Sequence, residues 1–302
     1  YYMNNYTQKY KIAILGGDKR QGEIAALFSS KEHDVRLFGL SDAAVNIPSS
    51  KLCSSMDKAM DSADIAMLPL PLSRDNLHLS ATGEKVALCD IVKLAGSNKT
   101  VLLGGIVSEE VKRLCTAQGV EIYDYYAREE LQNKNALPSA EGALMLAMEN
   151  TDITVNGMKA MVCGYGRIGK ILAFLLRGMG AYVTVAARRD EVICEATLDG
   201  FDTVKIQCNG KELLKSAEKC DVIFNTVPAI IFSPSVVLEM KSKPLYIEIA
   251  SAPGGIDLSA ARDKGIKTII APSIPGKYSS KTAGKYIFET VCDILSERGI
   301  II

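Results

Sequence analysis

Short apolar runs alternate with helix-compatible stretches along most of the chain, a rhythm of strand and helix rather than of strand and strand. Lys11–Leu15 (KIAIL) stops at Gly16-Gly17, and a helical stretch follows over 20–30. Val35-Arg-Leu-Phe, Asp64-Ile-Ala-Met-Leu, Thr100-Val-Leu-Leu and Val120-Glu-Ile-Tyr read as four further strands, the Asp64 run halted by Pro69 and Pro71. Ser108 sits where it would cap a helix over 109–118. Strands that alternate with helices imply a parallel sheet with crossover helices. Residues 1–138 therefore read as a flavodoxin-like α/β domain.

The pattern changes at Pro138. The segment Ser139-Ala-Glu-Gly-Ala-Leu-Met-Leu-Ala-Met-Glu-Asn is apolar on every side from Ala143 to Met148. Such a helix is normally buried, and one crossing between two halves is expected, opened by Pro138 and Ser139. Turn signals at Asn150-Thr-Asp and Asn156-Gly157 precede a second series. Strands are predicted at 159–163, 182–186, 222–226, 245–250 and 268–270, with helices over 167–178 and from about 283 to 297. Residues 139–302 thus comprise the crossing helix, a Rossmann domain and a C-terminal helix. The fold class is α/β, with two open parallel-sheet domains.

Gly164-Tyr165-Gly166-Arg167-Ile168-Gly169 is a GxGxxG set between a strand and a helix. The three glycines suit a tight turn, close approach of a pyrophosphate and close helix–strand packing, and the helix start supplies free N–H groups. The alternative is a structural glycine turn. The next strand ends in Ala186-Ala187-Arg188-Arg189, where an NAD site usually places Asp or Glu. A small residue followed by arginine suits a 2′-phosphate, so NADP is expected, with NAD as the alternative. Thr226-Val227-Pro228 and Ala250-Ser251 follow two further strands and, with the glycine loop, outline a nicotinamide pocket.

Gly16-Gly-Asp18-Lys-Arg20-Gln21 repeats the strand–turn–helix logic without dinucleotide spacing, and suits a smaller anion such as a carboxylate. Asp18, Arg20, Gln21, Ser139, Glu141, Lys281 and Thr282 are the substrate-side candidates, each with a solvated or structural reading beside it. Only two histidines occur, His33 and His78. His33 beside Asp34 reads as surface, whereas His78 follows a strand end and could reach a site. No catalytic acid or base is assigned.

Composition narrows the classes. Thirty-five basic and 35 acidic residues give net charge zero, which argues against nucleic acid held by bulk electrostatics. No apolar run approaches the roughly 20 residues of a membrane span, and the N-terminus around Met3 is too polar for an export signal. Eight cysteines without a CxxC pair suggest reduced thiols and no metal site.

The segments GGDKRQ, LPSAEGALMLAMENTDITVNG, GYGRIG, NTVPAIIF, IASAPGGID and APSIPGKYSSKTAG resemble the dipicolinate synthase A subunit of endospore-forming bacteria, in order and over almost the whole chain. The resemblance implies two α/β domains in a formate/glycerate dehydrogenase-like arrangement. It also implies nicotinamide-dependent dehydrogenation of dihydrodipicolinate to dipicolinate in the mother-cell cytoplasm, together with the flavoprotein-like B subunit of the synthase. The expected assembly includes a homo-oligomer, without membrane or nucleic acid. Two rivals stand beside this reading. One is a nucleotide-binding regulatory or scaffold protein without chemistry of its own. The other is a 2-hydroxyacid dehydrogenase, disfavoured because no histidine follows position 78.

Overall fold

A computed structural model of the chain describes residues 8–41, 51–83, 85–207 and 210–302. The N-terminal segment around Met3 and Cys208 lie outside the described residues. The chain divides into two compact units, Tyr1–Lys134 with Ser279–Ile302, and Asn135–Tyr278.

The first unit runs β1 (Lys11–Leu15), α1 (Lys19–Ser30), β2 (Asp34–Phe38), β3 (Lys51–Leu52), α2 (Met56–Met60), β4 (Ile65–Met67), α3 (Leu88–Asn98), β5 (Val101–Gly104), α4 (Glu109–Ala117) and β6 (Ile122–Asp124). Helix α5 (Glu129–Asn150) then leads into the second unit. There the chain continues through β7 (Lys159–Cys163), α6 (Arg167–Gly178), β8 (Tyr182–Ala187), α7 (Asp190–Leu198), β9 (Asp202–Lys205) and α8 (Lys211–Ala217). It ends with β10 (Val222–Asn225), α9 (Pro234–Glu239), β11 (Leu245–Glu248), α10 (Leu258–Lys264), β12 (Thr268–Ile270) and α11 (Ile274–Tyr278), before α12 (Ser280–Ser296).

Among the described residues each unit holds one six-stranded sheet with parallel pairing throughout. The orders are β3-β2-β1-β4-β5-β6 and β12-β11-β10-β7-β8-β9. Both are the dinucleotide-fold order 3-2-1-4-5-6, with the reversal of direction beside the first strand of each unit. This corrects the flavodoxin-like expectation for the first unit. The strands legible in the sequence do stand as β2-β1-β4-β5-β6, the flavodoxin order, but β3 adds to the edge beyond β2. Two residues are too few to register as a strand in an apolar pattern.

Central strands such as β4 and β10 are buried along their whole length, as expected when helices cover both faces of a sheet. In the first unit, Ile12, Ile14, Ile24 and Phe28 pack with α12 on one face, while Leu88, Ile91, Val92 and Val111 of α3 and α4 cover the other. Local caps fix the helix starts: Asp18 accepts from the Arg20 N–H at α1, and Ser108 from the Val111 N–H at α4.

Two boundaries differ from the sequence reading. Helix α12 was expected to close the Rossmann domain, yet it belongs to the first unit. Its Ile287, Phe288, Val291, Ile294 and Leu295 join that core, and the Phe288 ring stands edge-on to Phe28 at 4.9 Å. Gly284 permits the approach, because a Cβ there would lie 2.9 Å from the Arg20 carbonyl and 2.7 Å from Glu23 Cβ. Helix α5 begins nine residues before Pro138, which lies inside it. The Ser139 hydroxyl donates to the Asn135 carbonyl at 2.9 Å, so Ser139 and Glu141 do not open the helix. Glu141 therefore has no helix N-terminus to favour it. Ala140, Ala143, Leu144, Leu146 and Ala147 are buried in the second unit as expected, but Met148 is exposed. His33 is buried rather than superficial: its Nδ1 accepts from the Tyr10 N–H, and burial lowers its pKa.

Candidate functional site: the strand ends of the two sheets

The turn from β7 to α6 carries the glycine motif at the point where strand order reverses between β7 and β10. Gly164 sits at φ +90°, which favours glycine, and a Cβ there would meet Thr226 Oγ1 at 2.4 Å. Gly169 presses α6 against the loop, since a Cβ there would lie only 2.1 Å from the Gly164 carbonyl oxygen. Gly166 is different. It occupies the N-cap with φ −84°, offers no side-chain cap, and a Cβ there would meet nothing within 4 Å. The helix N-terminus therefore opens onto free space with its first N–H groups unsatisfied by a cap, an arrangement suited to a pyrophosphate. Arg167 is exposed and Ile168 half-buried at this start.

Tyr165 serves the loop from beneath. It is buried, donates its hydroxyl to Asp199 at 2.7 Å, and packs edge-on against Phe201. Lys170 lies over its ring and also pairs with Asp199 at 3.2 Å. Burial and the Asp199 carboxylate raise the phenol pKa. Its side chain is thus an anchor for the motif, and Tyr165 presents only backbone to a ligand on the loop.

Thr226 docks the next strand end onto the first by donating its hydroxyl to the Cys163 carbonyl at 2.8 Å. Behind it lies a buried polar group that the motif reading missed. Asn225 donates to the Val227 carbonyl at 2.8 Å and to Glu248 Oε1 at 2.7 Å, while its own oxygen accepts from the Val227 N–H. Glu248 also accepts from the Ala250 and Gly255 N–H groups, at 3.1 and 2.7 Å. Burial pushes the Glu248 carboxyl up, and the hydrogen bonds from Gly255, Asn225 and Ala250 oppose that shift. These two residues face each other across β10 and β11 and fix the shape of the loops carrying Thr226, Val227, Pro228, Ala250 and Ser251. The signal in the sequence was a lone acid in an otherwise apolar run, Leu245-Tyr-Ile-Glu-Ile-Ala.

At the end of β8, Ala187 is buried and Arg188 and Arg189 are exposed. Arg189 pairs with Glu191 at 3.0 Å, and Asp190 is taken by Lys205 at 2.6 Å. Arg188 has no ion pair among the described residues, which leaves it the freer cation at the end of β8.

In the first unit, the β1–α1 turn brings together part of the predicted anion site. Arg20 is not a free cation, contrary to expectation. It is 6% exposed, clamps Asp18 through Nε and Nη2 at 2.9 and 2.8 Å, and donates to the Leu70 carbonyl at 2.6 Å. Gln21 is 3% exposed and both its amide atoms lack a partner among the described residues. Lys281 and Thr282 are exposed in the first turn of α12, which Gly284 holds against the first turn of α1. Ser139 and Glu141 lie elsewhere, on α5 in the second unit. His78 pairs with Asp75, Nδ1 to Oδ2 at 2.8 Å, and Asp75 also accepts from the Leu77 and His78 N–H groups and Ser73. The His78 ring and these N–H donors hold the Asp75 carboxyl well below the usual carboxylate range. Among the described residues, no cluster of three or more His, Cys, Asp or Glu could hold a metal ion, and no helix is long and apolar enough to cross a membrane.

Two parallel α/β domains, the second Rossmann-like with an open glycine loop at its switch point, define a protein with an NAD-binding domain of the dehydrogenase-like fold. Residues 11–126 match the family of the dipicolinate synthase A-subunit N-terminal domain, and residues 140–281 match the S-adenosyl-L-homocysteine hydrolase NAD binding domain. The dipicolinate synthase A subunit of Bacillus subtilis (strain 168) is 28% identical over 289 residues, 95% of this chain and 96% of that protein. The crystal structure of the B. subtilis protein superposes with a TM-score of 0.79, covering 96% of this chain and 97% of that one. Its counterpart from Bacillus halodurans does so at 0.80 with 26% identity, covering 94% and 97%. A transhydrogenase from Sinorhizobium meliloti, at 14% identity, TM-score 0.65 and coverage of 96% and 94%, shares the fold alone. The resemblance read from the sequence is borne out: over almost its whole length the chain is similar to dipicolinate synthase A subunits, and its second half matches an NAD-binding domain.

Proposed function

We propose that this chain dehydrogenates dihydrodipicolinate to dipicolinate with NADP, acting with the flavoprotein-like B subunit of the synthase in the mother-cell cytoplasm of a sporulating bacterium. The observation that carries the reading is the uncapped start of α6 with open space at Gly166. In the reaction the dihydropyridine ring loses one hydride and one proton and becomes aromatic, so the substrate supplies much of the driving force. A bound nicotinamide supplies the hydride acceptor. The protein then has to hold the dinucleotide, orient a dicarboxylate and take up a proton.

Gly164 to Gly169 would hold the pyrophosphate and Arg188 the 2′-phosphate, which favours NADP; Thr226 to Pro228 with Ala250 and Ser251 would border the nicotinamide. Gln21, Lys281 and Thr282 would serve the substrate carboxylates, with Asp18 and Arg20 shaping their turn. His78, oriented by Asp75, is the candidate proton acceptor. The test is NADPH formation from dihydrodipicolinate by the purified chain, alone and with the flavoprotein-like partner. Production that needs both identifies the two-component enzyme. Saturable cofactor binding without production under either condition supports the second reading, a nucleotide-binding protein without chemistry. That reading draws on the internal pairing of Arg20, Asn225 and Glu248, which leaves few strand-end groups free to react.

A further inference from the structure

We propose that the β1–α1 turn and the segment 78–82 form a carboxylate subsite for a planar ring dicarboxylate, with the Gln21 amide and the Ser80 hydroxyl as its hydrogen-bonding floor; this rests on the dehydrogenase reading above. Four observations converge there. The turn lies where strand order reverses between β1 and β4, the position at which open α/β sheets bind ligands. It opens helix α1, which is twelve residues long. Gln21 folds back over the glycines: its Cγ lies 2.6 Å, and Pro69 Cβ 3.0 Å, from where a Cβ on Gly17 would stand. Ser80 closes the other side, with its carbonyl accepting from the Gly17 N–H at 2.9 Å. A Cβ on Gly16 would come within 2.7 Å of that carbonyl oxygen.

The frame is built and its polar ends are empty-handed. Thr82 ties the segment down by donating its backbone N–H to the Gly39 carbonyl at 3.0 Å and its hydroxyl to the Leu40 carbonyl at 2.8 Å. Yet Gln21 Nε2, Gln21 Oε1 and Ser80 Oγ, all inaccessible to solvent, have no hydrogen-bond partner among the described residues. Buried polar groups are nearly always paired, and leaving one unpaired costs about 1–3 kcal/mol. Three such atoms around one turn mark the place of a group that pairs with them. Nε2 and the hydroxyl donate to a carboxylate, and Oε1 accepts from a donor beside that carboxylate. The Asp18 charge is neutralised by Arg20 and does not oppose an anion, while Lys281 in the adjoining first turn of α12 adds positive charge.

The test is calorimetric titration of the full chain with pyridine-2,6-dicarboxylate, in the wild type, Gln21→Leu and Ser80→Ala, with NADPH titration and thermal melting as controls. Binding by the wild type, weakened at least tenfold by Gln21→Leu and measurably by Ser80→Ala with NADPH affinity unchanged, is the expected result. Should Gln21→Leu fail to fold, Ser80→Ala decides alone. Absence of wild-type binding at millimolar ligand overturns the subsite. So does unchanged binding in the variants, above all with a raised melting point for Gln21→Leu, which would mean that the atoms merely hold a buried water. The titration involves no turnover, so binding without NADPH production would sink the dehydrogenation and leave the subsite standing.

Discussion

Replacing Gly166 by valine separates cofactor binding from folding, because the loop's glycines are needed for different reasons. At Gly166 the backbone is extended, φ −84° and ψ −164°, which any residue adopts, and a Cβ meets nothing. The expected cost to stability is the poorer N-cap, about 1 kcal/mol. The added branch fills the space in which a pyrophosphate would contact the helix start. Losing one or two hydrogen bonds to a charged group removes about 1.5–3 kcal/mol each. Affinity should therefore fall roughly tenfold to about twenty-thousandfold. Gly169→Ala makes the opposite case: its Cβ would stand 2.1 Å from a backbone oxygen and 2.9 Å from the carbonyl carbon of Gly164. Neither atom can swing aside, so α6 must shift, costing about 1–3 kcal/mol of stability as well as affinity. NADPH fluorescence titration alongside thermal melting reads both quantities. An unchanged NADPH titration for Gly166→Val, or a melting loss equal to that of Gly169→Ala, would refute the assignment of open space at position 166 to the cofactor.

Arg188→Ala should weaken NADP(H) by about 1.5–3 kcal/mol, roughly ten- to over a hundredfold, and leave NAD(H) nearly unchanged; Arg189→Ala should cost less, since Arg189 already pairs with Glu191. Equal losses for both cofactors would remove the 2′-phosphate argument. Glu248→Gln should lower stability by about 1–3 kcal/mol, because its new N–H₂ faces donors from Asn225 or Gly255, and thermal melting with an unchanged midpoint would show the network to be dispensable. Lys281→Ala should reduce dicarboxylate turnover with melting and NADPH affinity intact, whereas Arg20→Ala should lower the melting point by freeing Asp18 and the Leu70 carbonyl; the reverse pattern would return Arg20 to the ligand. His78→Asn should reduce turnover by about 10²- to 10⁴-fold without altering cofactor affinity, and wild-type rates would exclude it as proton acceptor.

The strand–helix rhythm exposed most of the fold because buried parallel strands are continuous apolar runs, and KIAIL or KAMVC can hardly read otherwise. What escaped was set by tertiary contact. Pro138 looked like a helix start, as proline often is, yet the helix runs through it and Ser139 bonds back to Asn135. Nothing local in α12 tells which sheet its apolar face will meet; that choice rests on Gly284 fitting against Arg20 and Glu23. The glycine motif announced itself by spacing. The Asn225–Glu248 pair did not, since it joins residues 23 positions apart whose neighbourhood exists only once β10 and β11 align.

The same topology built twice explains why one turn suits a diphosphate and the other does not. Each unit follows its first strand with a glycine turn and a helix beside the reversal of strand order. In the second unit the N-cap is a glycine with empty space above it. In the first, the N-cap is Asp18, whose carboxylate already accepts from the Arg20 N–H and guanidinium. The place a backbone-hugging phosphate would take at Gly17 is filled by Gln21 and Pro69. A doubly charged pyrophosphate would have to displace a satisfied cap there. A single carboxylate needs only the Gln21 and Ser80 side chains to turn toward it, and it satisfies atoms that the fold alone leaves unpaired. On the proposed reading, the fill of each turn, more than its glycine count, directs the dinucleotide to the second unit and the smaller anion to the first.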